Sequence, residues 1–302
     1  MISHLPLLDQ ILLRPDDHLG TVEKCTETLW VYESFAMTRR PRHLHPPLRH
    51  DFTNQRHLDP AMDALHVDID VSEHRISVYS SGQGIPVELH HEEDGGGVYV
   101  PEIIVGHLLS SKEITGVKLA NVFSTDFIVE TADGRLLNKY KQVFSKNMGR
   151  KLEPEISDCK KGENWTRITF KPDLAKFSLT RLDQDDVVAV MRKRVFDVAA
   201  MLGDAVNVVL NGRRLNVKSF SNYVDWHIIS SSKKRLAELP RICEKINDQW
   251  EVCVSSEGHF EQLRLNRMGG SHVDYMANKI ATHVMNVAND KKSKNFTAKC
   301  MM

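Results

Sequence analysis

Leu65, Val67, Ile69 and Val71 alternate with His66, Asp68 and Asp70, the two-residue period of a strand with one face buried. A turn at residues 72–74 sends the chain back through 76–79, and this hairpin delivers Ser80–Ser81–Gly82–Gln83–Gly84–Ile85–Pro86 to the end of a sheet. Two glycines two apart, closed by a proline, let the backbone turn sharply and come close to a bound group. The spacing alone has two readings, a turn joining strand to loop and a ligand loop, and it favours the first.

The rest of the chain reads as α+β in two units. An apolar run stops at Leu12–Leu13–Arg14–Pro15–Asp16, and residues 28–32 are strand-like. Residues 38–51 are crowded with Arg, His and Pro; prolines at 41, 46 and 47 each remove a donor, so a solvated loop is expected. His43, His45, His50 and His57 lack acidic or Cys partners at ligand spacing, which favours loop over metal site. Pro101 opens a predicted helix over 102–109. Strands are predicted at 122–131, 136–144 and 165–170, with a turn at Ala132–Asp133–Gly134–Arg135 between the first two. The stretch 183–202 is the most helical. Asp183, Asp185 and Asp186 sit at its positive end, Val187, Met191, Val195 and Val198 form its apolar stripe, and Gly203 stops it. Asn211–Gly212 predicts a hairpin turn between 206–210 and 215–217. The polar run 230–235 marks the expected domain boundary, giving units 1–229 and 230–302. In the second, 250–254 and 260–265 read as paired strands, 273–287 as a helix, and Lys291, Lys292, Lys294 and Lys299 as a basic tail.

Composition excludes some classes. With 40 basic and 40 acidic residues the net charge is zero, so any contact with DNA must come from a local patch. Five scattered cysteines without a C-x-x-C pair argue against a disulfide framework and a structural zinc, and fit a reducing compartment. No signal peptide is recognised, and no apolar run approaches the ~18 residues of a membrane span. A cytosolic or nuclear chain is expected.

Longer matches carry a resemblance. Ile76–Ser77–Val78–Tyr79 running into the glycine turn, Tyr99–Val100–Pro101–Glu102 and Gly106–His107–Leu108–Leu109 resemble eukaryotic type II DNA topoisomerases, the ATP-hydrolysing family. So do Asn121–Val122–Phe123–Ser124–Thr125, Tyr140–Lys141–Gln142–Val143–Phe144, Gly162–Glu163–Asn164–Trp165–Thr166, Phe170–Lys171–Pro172–Asp173–Leu174, Trp250–Glu251–Val252–Cys253 and His272–Val273–Asp274–Tyr275. The similarity covers the amino-terminal ATPase region and the start of the transducer. It implies a GHKL (Bergerat) ATPase α/β sandwich, a degenerate one here, followed by an incomplete, ribosomal-protein-like transducer domain. It further implies ATP and Mg²⁺ as cofactors and double-stranded DNA as partner. Dimerisation with itself or with a full-length subunit follows from it, as does a nuclear location. The activity implied is ATP-dependent passage of one DNA duplex through another. On this resemblance the ATP-binding candidates are Ser80, Ser81, Gly82, Gly84, Ser110, Ser111, Gly116 and Lys118, and the DNA-binding candidates Lys291, Lys292 and Lys294.

Three segments depart from the family pattern. The family's helix bearing the Glu that polarises water and the Asn that holds Mg²⁺ falls where residues 48–56 stand, and only Asn54–Gln55–Arg56 echoes it, leaving Asn54 as the metal candidate. The glycine-rich lid is reduced to Thr115–Gly116–Val117–Lys118–Leu119. The lysine that reaches the γ-phosphate in the family lies beyond Met302, as does the DNA-cleaving tyrosine. No catalytic residue is therefore assigned; no ATP hydrolysis is expected from this chain alone, and nucleotide affinity is expected to be weak. The alternative is a non-catalytic truncated paralogue or incomplete gene product serving as a dimerisation or DNA-binding module. A GHKL chaperone or histidine kinase relative ranks third.

Overall fold

The computed structural model describes residues 5–19, 25–33, 36–44, 59–91, 97–110, 114–182, 185–231, 241–245 and 251–255, with Tyr275, Asn278, Lys279 and Thr282. The chain divides into two compact units, Met1–Glu261 and Gln262–Met302. In chain order the first unit runs α1 (Leu7–Leu13), α2 (Asp16–Leu19), β1 (Cys25–Glu33), β2 (Ala36–Leu44), β3 (Ala64–Asp70), β4 (Arg75–Ser81), β5 (Leu89–His91) and β6 (Gly97–Tyr99). Then come α3 (Val100–Gly106), α4 (Gly116–Val122), β7 (Ser124–Asp133), β8 (Asn138–Ser145), β9 (Arg150–Lys151), β10 (Glu155–Asp158) and β11 (Asn164–Pro172). It closes with α5 (Asp185–Leu202), β12 (Asn207–Leu210), β13 (Arg213–Arg214), α6 (Phe220–Ser231), β14 (Arg241–Lys245) and β15 (Glu251–Ser255).

A nine-stranded sheet is the frame, ordered β10-β8-β7-β11-β4-β3-β12-β13 with β9 pairing β8. Every pairing is antiparallel except β12 on β3, which is parallel. The β3–β4 hairpin forms as its alternation predicts: Leu65, Val67 and Ile69 are buried on one face, opposite Ser80, Val78 and Ile76. That face continues through Phe127, Val129 and Phe144, where Val105 of α3 and Val117 and Ala120 of α4 pack onto it. α3 lies close because Gly106 has no side chain; a Cβ there would meet the Phe144 ring at 2.9 Å. The opposite face carries His66, Asp68, Tyr79, Glu130, Lys141 and Arg167 and borders an open groove of about 1230 Å³.

α5 spans 185–202 and buries Val187, Met191, Val195 and Val198, as the stripe requires. Gly203 follows at φ +59, the left-handed geometry that ends a helix. The hairpin β12–β13 turns on Asn211 (φ 47) and Gly212 (φ 73), the pair of positive angles of a type I′ turn. In the second unit Tyr275, Asn278, Lys279 and Thr282 are helical, within the predicted helix, and the Thr282 hydroxyl donates to the Asn278 carbonyl at 2.7 Å.

Two expectations are corrected. Residues 36–44 form strand β2 rather than a loop, with Pro41 opposite Thr28 of β1. Prolines exclude a helix but not a strand in a two-stranded sheet, where each strand has an unpaired edge that needs no donor. The cysteines do form a disulfide, Cys243–Cys253, joining β14 to β15. Spacing missed it because strand pairing, not a C-x-x-C motif, brings them together. Strand β15 matches the predicted 250–254; its predicted partner at 260–265 lies outside the described residues, and β14 is the partner observed. Among the described residues no helix is long and apolar enough to cross a membrane.

Candidate nucleotide site

Strand β4 ends at Ser81, and the backbone then needs two positive φ angles, +132° at Gly82 and +73° at Gly84. Both positions are also crowded. A Cβ at Gly84 would lie 2.5 Å from the Ala132 carbonyl oxygen, and one at Gly82 would lie 2.0 Å from Asp59 Oδ2. Three side chains from elsewhere hold the turn. The Gln83 N–H donates to Asp59 Oδ2 at 2.7 Å, Ile85 N–H to Thr131 Oγ1 at 2.9 Å, and Val87 N–H to Asp133 Oδ2 at 3.3 Å. Thr131 is fully buried, and its hydroxyl also lies 2.9 Å from the Trp165 carbonyl and 3.0 Å from Thr166 Oγ1. Asp133 Oδ1 accepts from the N–H groups of Arg135 and Leu136 and so closes the end of β7. Asp59, Thr131, Asp133 and Thr166 were not singled out from sequence. Asp59, Thr131 and Asp133 lie 24 to 46 residues from the groups of the turn they hold, beyond any local pattern, and Thr166 reaches it only through Thr131.

Ser80 and Ser81 project to opposite sides of the sheet. Ser80 stands between Leu65 and Thr166, on the face where the helices pack. Ser81 is taken up by the start of β3: its hydroxyl accepts from the N–H groups of Asp63 (3.0 Å) and Ala64 (2.8 Å) and donates to Asp63 Oδ1 at 2.5 Å.

Gly116 and Lys118 stand in the short helix α4, where Leu119 and Val122 are buried core residues. Lys118 is itself buried, and its ammonium donates to Ser110 Oγ at 2.8 Å. Desolvation holds the Lys118 pKa below the usual lysine value. The Ser110 hydroxyl in turn faces the carbonyls of Ile103 (3.2 Å) and His107 (3.0 Å), tying the pair to the end of α3. Asn121 locks α4 to α3 through Nδ2 and the Val105 carbonyl at 3.0 Å, while its Oδ1 is buried without a partner among the described residues. Val87, just past the glycine turn, and Val117, beside Lys118, pack in one core cluster on the helix-bearing face, the face that Ser80 shares and Ser81 does not.

The structure thus brings Ser80, Gly82 and Gly84 to one end of the sheet and pairs Ser110 with Lys118. Ser111, Asn54, Lys291, Lys292 and Lys294 lie outside the described residues, as does the stretch 48–56 where the family's base is expected. Among the described residues no three His, Cys, Asp or Glu side chains gather as a metal site would require.

Known proteins share this fold. No protein-family model matches the chain. A DNA topoisomerase 2 of Arabidopsis thaliana is 50% identical over 97% of the chain, and the human DNA topoisomerase 2-alpha 39% over 94%. The chain spans about a fifth of these relatives, 21% and 20% of their lengths. The crystal structure of the ATPase region of Saccharomyces cerevisiae topoisomerase II superposes with a TM-score of 0.83 at 34% identity, covering 97% of this chain and 82% of that one. The ATPase and transducer domains of the Balamuthia mandrillaris enzyme give 0.82 at 31% identity, covering 96% and 78%. The fold is therefore that of the GHKL ATPases, and the chain belongs to the type II DNA topoisomerase family, in the ATPase region of its amino-terminal part.

Proposed function

We propose that this chain is a nucleotide-binding module of a type II topoisomerase that holds ATP weakly and does not turn it over alone. The observation that carries the reading is the Lys118–Ser110 pair. The one lysine at the lid position is buried and already bonded to a second site candidate, on a helix whose next residues are core. A phosphate reaching Lys118 must share the ammonium with Ser110 and draw it out of its packing. A charge-assisted hydrogen bond contributes only ~1.5–3 kcal/mol, so one such contact without a row of lid N–H groups supports millimolar rather than micromolar binding.

In this reading Ser80, Gly82 and Gly84 border the base, with Thr131 and Thr166 behind them, Ser110 stands at the ribose, and Gly116 and Lys118 stand at the phosphate end. Ser81 serves the sheet rather than the ligand, since three bonds to residues 63 and 64 occupy its hydroxyl. Ser111 joins Ser110 at the ribose, and Asn54 is assigned to Mg²⁺, by family pattern alone. Bound ATP would supply the phosphoanhydride whose hydrolysis powers the family's strand passage, and Mg²⁺ would neutralise its phosphate charge. This chain's described residues contribute only positioning: a rigid turn, a buried cation and its hydroxyl partner. Double-stranded DNA, met by Lys291, Lys292 and Lys294, a dimer with a like or full-length subunit, a transducer segment over 230–302 and a nuclear location complete the proposal on family grounds.

Calorimetric titration of the chain with a non-hydrolysable ATP analogue and Mg²⁺ tests it. A millimolar constant, weakened further by Lys118→Ala, is expected, and a micromolar constant contradicts it. Mg²⁺-dependent, DNA-stimulated phosphate release from the purified chain would overturn the absence of turnover.

A further inference from the structure

The antiparallel pair β14–β15 sets Cys243 directly opposite Cys253, ten residues on, and the two sulfurs are bonded. Opposed positions on a hairpin point to the same face, so the backbone ladder holds the two sulfurs together whether or not the bond exists. Closure from the dithiol is then an intramolecular step. Both residues are half-buried, which leaves the sulfurs within reach of a small thiol or disulfide. Cys159, a free cysteine, is a poor competitor. Its thiol contacts the Asp133 carbonyl at 3.4 Å, and burial, seconded by the neighbouring Glu163 charge, pushes its pKa up and suppresses the thiolate.

We propose that Cys243 and Cys253 form a reversible thiol–disulfide site that exchanges with small disulfides of the glutathione type and locks the β14–β15 hairpin, whose second strand lies against α6. In the forward direction the thiolate of one cysteine attacks a sulfur of the small disulfide. A protein–glutathione mixed disulfide forms and one glutathione thiolate leaves. The second cysteine, deprotonated, then attacks the protein sulfur of that mixed bond and expels the second glutathione thiolate. The protein gives up two electrons and two protons, and the glutathione disulfide is reduced to two thiols; excess glutathione runs the sequence backwards.

The test uses the intact wild-type chain, so no substitution need fold. The chain is equilibrated in graded ratios of reduced to oxidised glutathione, quenched in acid, alkylated, and mapped by peptide mass. Cys243 and Cys253 should lose label together in one two-electron transition, with the 243–253 cross-link as product. Amide exchange over 241–255 should rise when the bond opens. In Cys243→Ser, Cys253 should instead stop at the glutathione mixed disulfide, and Cys253→Ser should do the same at Cys243. The proposal is overturned if both cysteines stay labelled in excess oxidised glutathione, or if either pairs with another cysteine. It is equally overturned if the cross-link survives the most reducing glutathione ratio and opens only on unfolding, which would make it a permanent structural bond.

Discussion

His227 is buried among Tyr223, Trp30 and the α5–α6 interface, with Nδ1 3.0 Å from the Tyr223 carbonyl and Nε2 without a partner among the described residues. Desolvation pulls its pKa from 6.5 to about 4; the Tyr223 carbonyl and Asp197 oppose the shift, and Lys193 adds to it. The unfolded chain therefore binds the proton more readily than the folded one. The contribution of neutral His227 is complete above about pH 6.5 and is lost as the pH falls toward 4, roughly 2 kcal/mol at pH 5. Urea unfolding of wild type at pH 7 and pH 5 should show that loss, and His227→Phe should flatten it; equal slopes in the two proteins would refute the assignment. At the glycine turn, Gly84→Ala combines a left-handed φ with backbone contact at 2.5 Å, and should cost about 2–3 kcal/mol in the same assay. These residues also mark the limit of reading the sequence. The need for glycine at 82 and 84 is visible in the motif. That the Ser81 hydroxyl is taken up by residues 63 and 64 is not, because that depends on how the start of β3 meets the end of β4.

Among the elements, α3 is fixed to the sheet by charge as well as by packing. Glu102, 5% exposed, accepts from Gln142 Nε2 at 2.8 Å and from Lys151, while His107 stands 3.5 Å away. Burial alone would raise its pKa, but the bonds from Lys151, Gln142 and His107 outweigh it and leave the carboxyl below the usual value. Glu102→Ala leaves one Gln142 N–H unpaired in the core, the amide keeping its bonds to the Leu152 carbonyl and the Tyr140 hydroxyl, and should destabilise by about 1–3 kcal/mol, read as a lowered thermal midpoint. An unchanged midpoint would mean that the contact is not made in solution. Elements carried by strong local patterns were legible: the β3–β4 alternation, the α5 stripe with its glycine stop, the Asn-Gly hairpin. Those built by partners were not. Strand β2 runs through a proline because its sheet has edges to spare, and α4 is a packed helix where the sequence resembles a lid, because Leu119 and Val122 find a core to enter.

For the molecule as a whole, weak nucleotide binding has a thermodynamic signature. With a millimolar constant and about 1 mM ATP, linkage adds only RT ln 2, roughly 0.4 kcal/mol. A shift of about 1 °C in the thermal midpoint is expected. A shift of several degrees would require a far tighter site. Family and fold were legible at this scale because long stretches of sequence stay in register with the relatives. The site was legible only in outline, because its clamps, Asp59, Thr131 and Asp133, are set by tertiary contact.

The parallel pairing of β12 with β3 joins residues 207–210 to 64–67, and the Asn211 side chain seals it by bonding both the N–H and the carbonyl of Ile69, 142 positions earlier. On a ribosome, this seam cannot close until residue 211 has left the exit tunnel. Until then β3 keeps one ladder edge bare while β4 already covers the other. The nascent chain thus carries an open strand edge through most of the synthesis of this unit, at the ~5–20 residues per second of translation, and that is the interval in which a holding chaperone or a neighbouring chain competes for it.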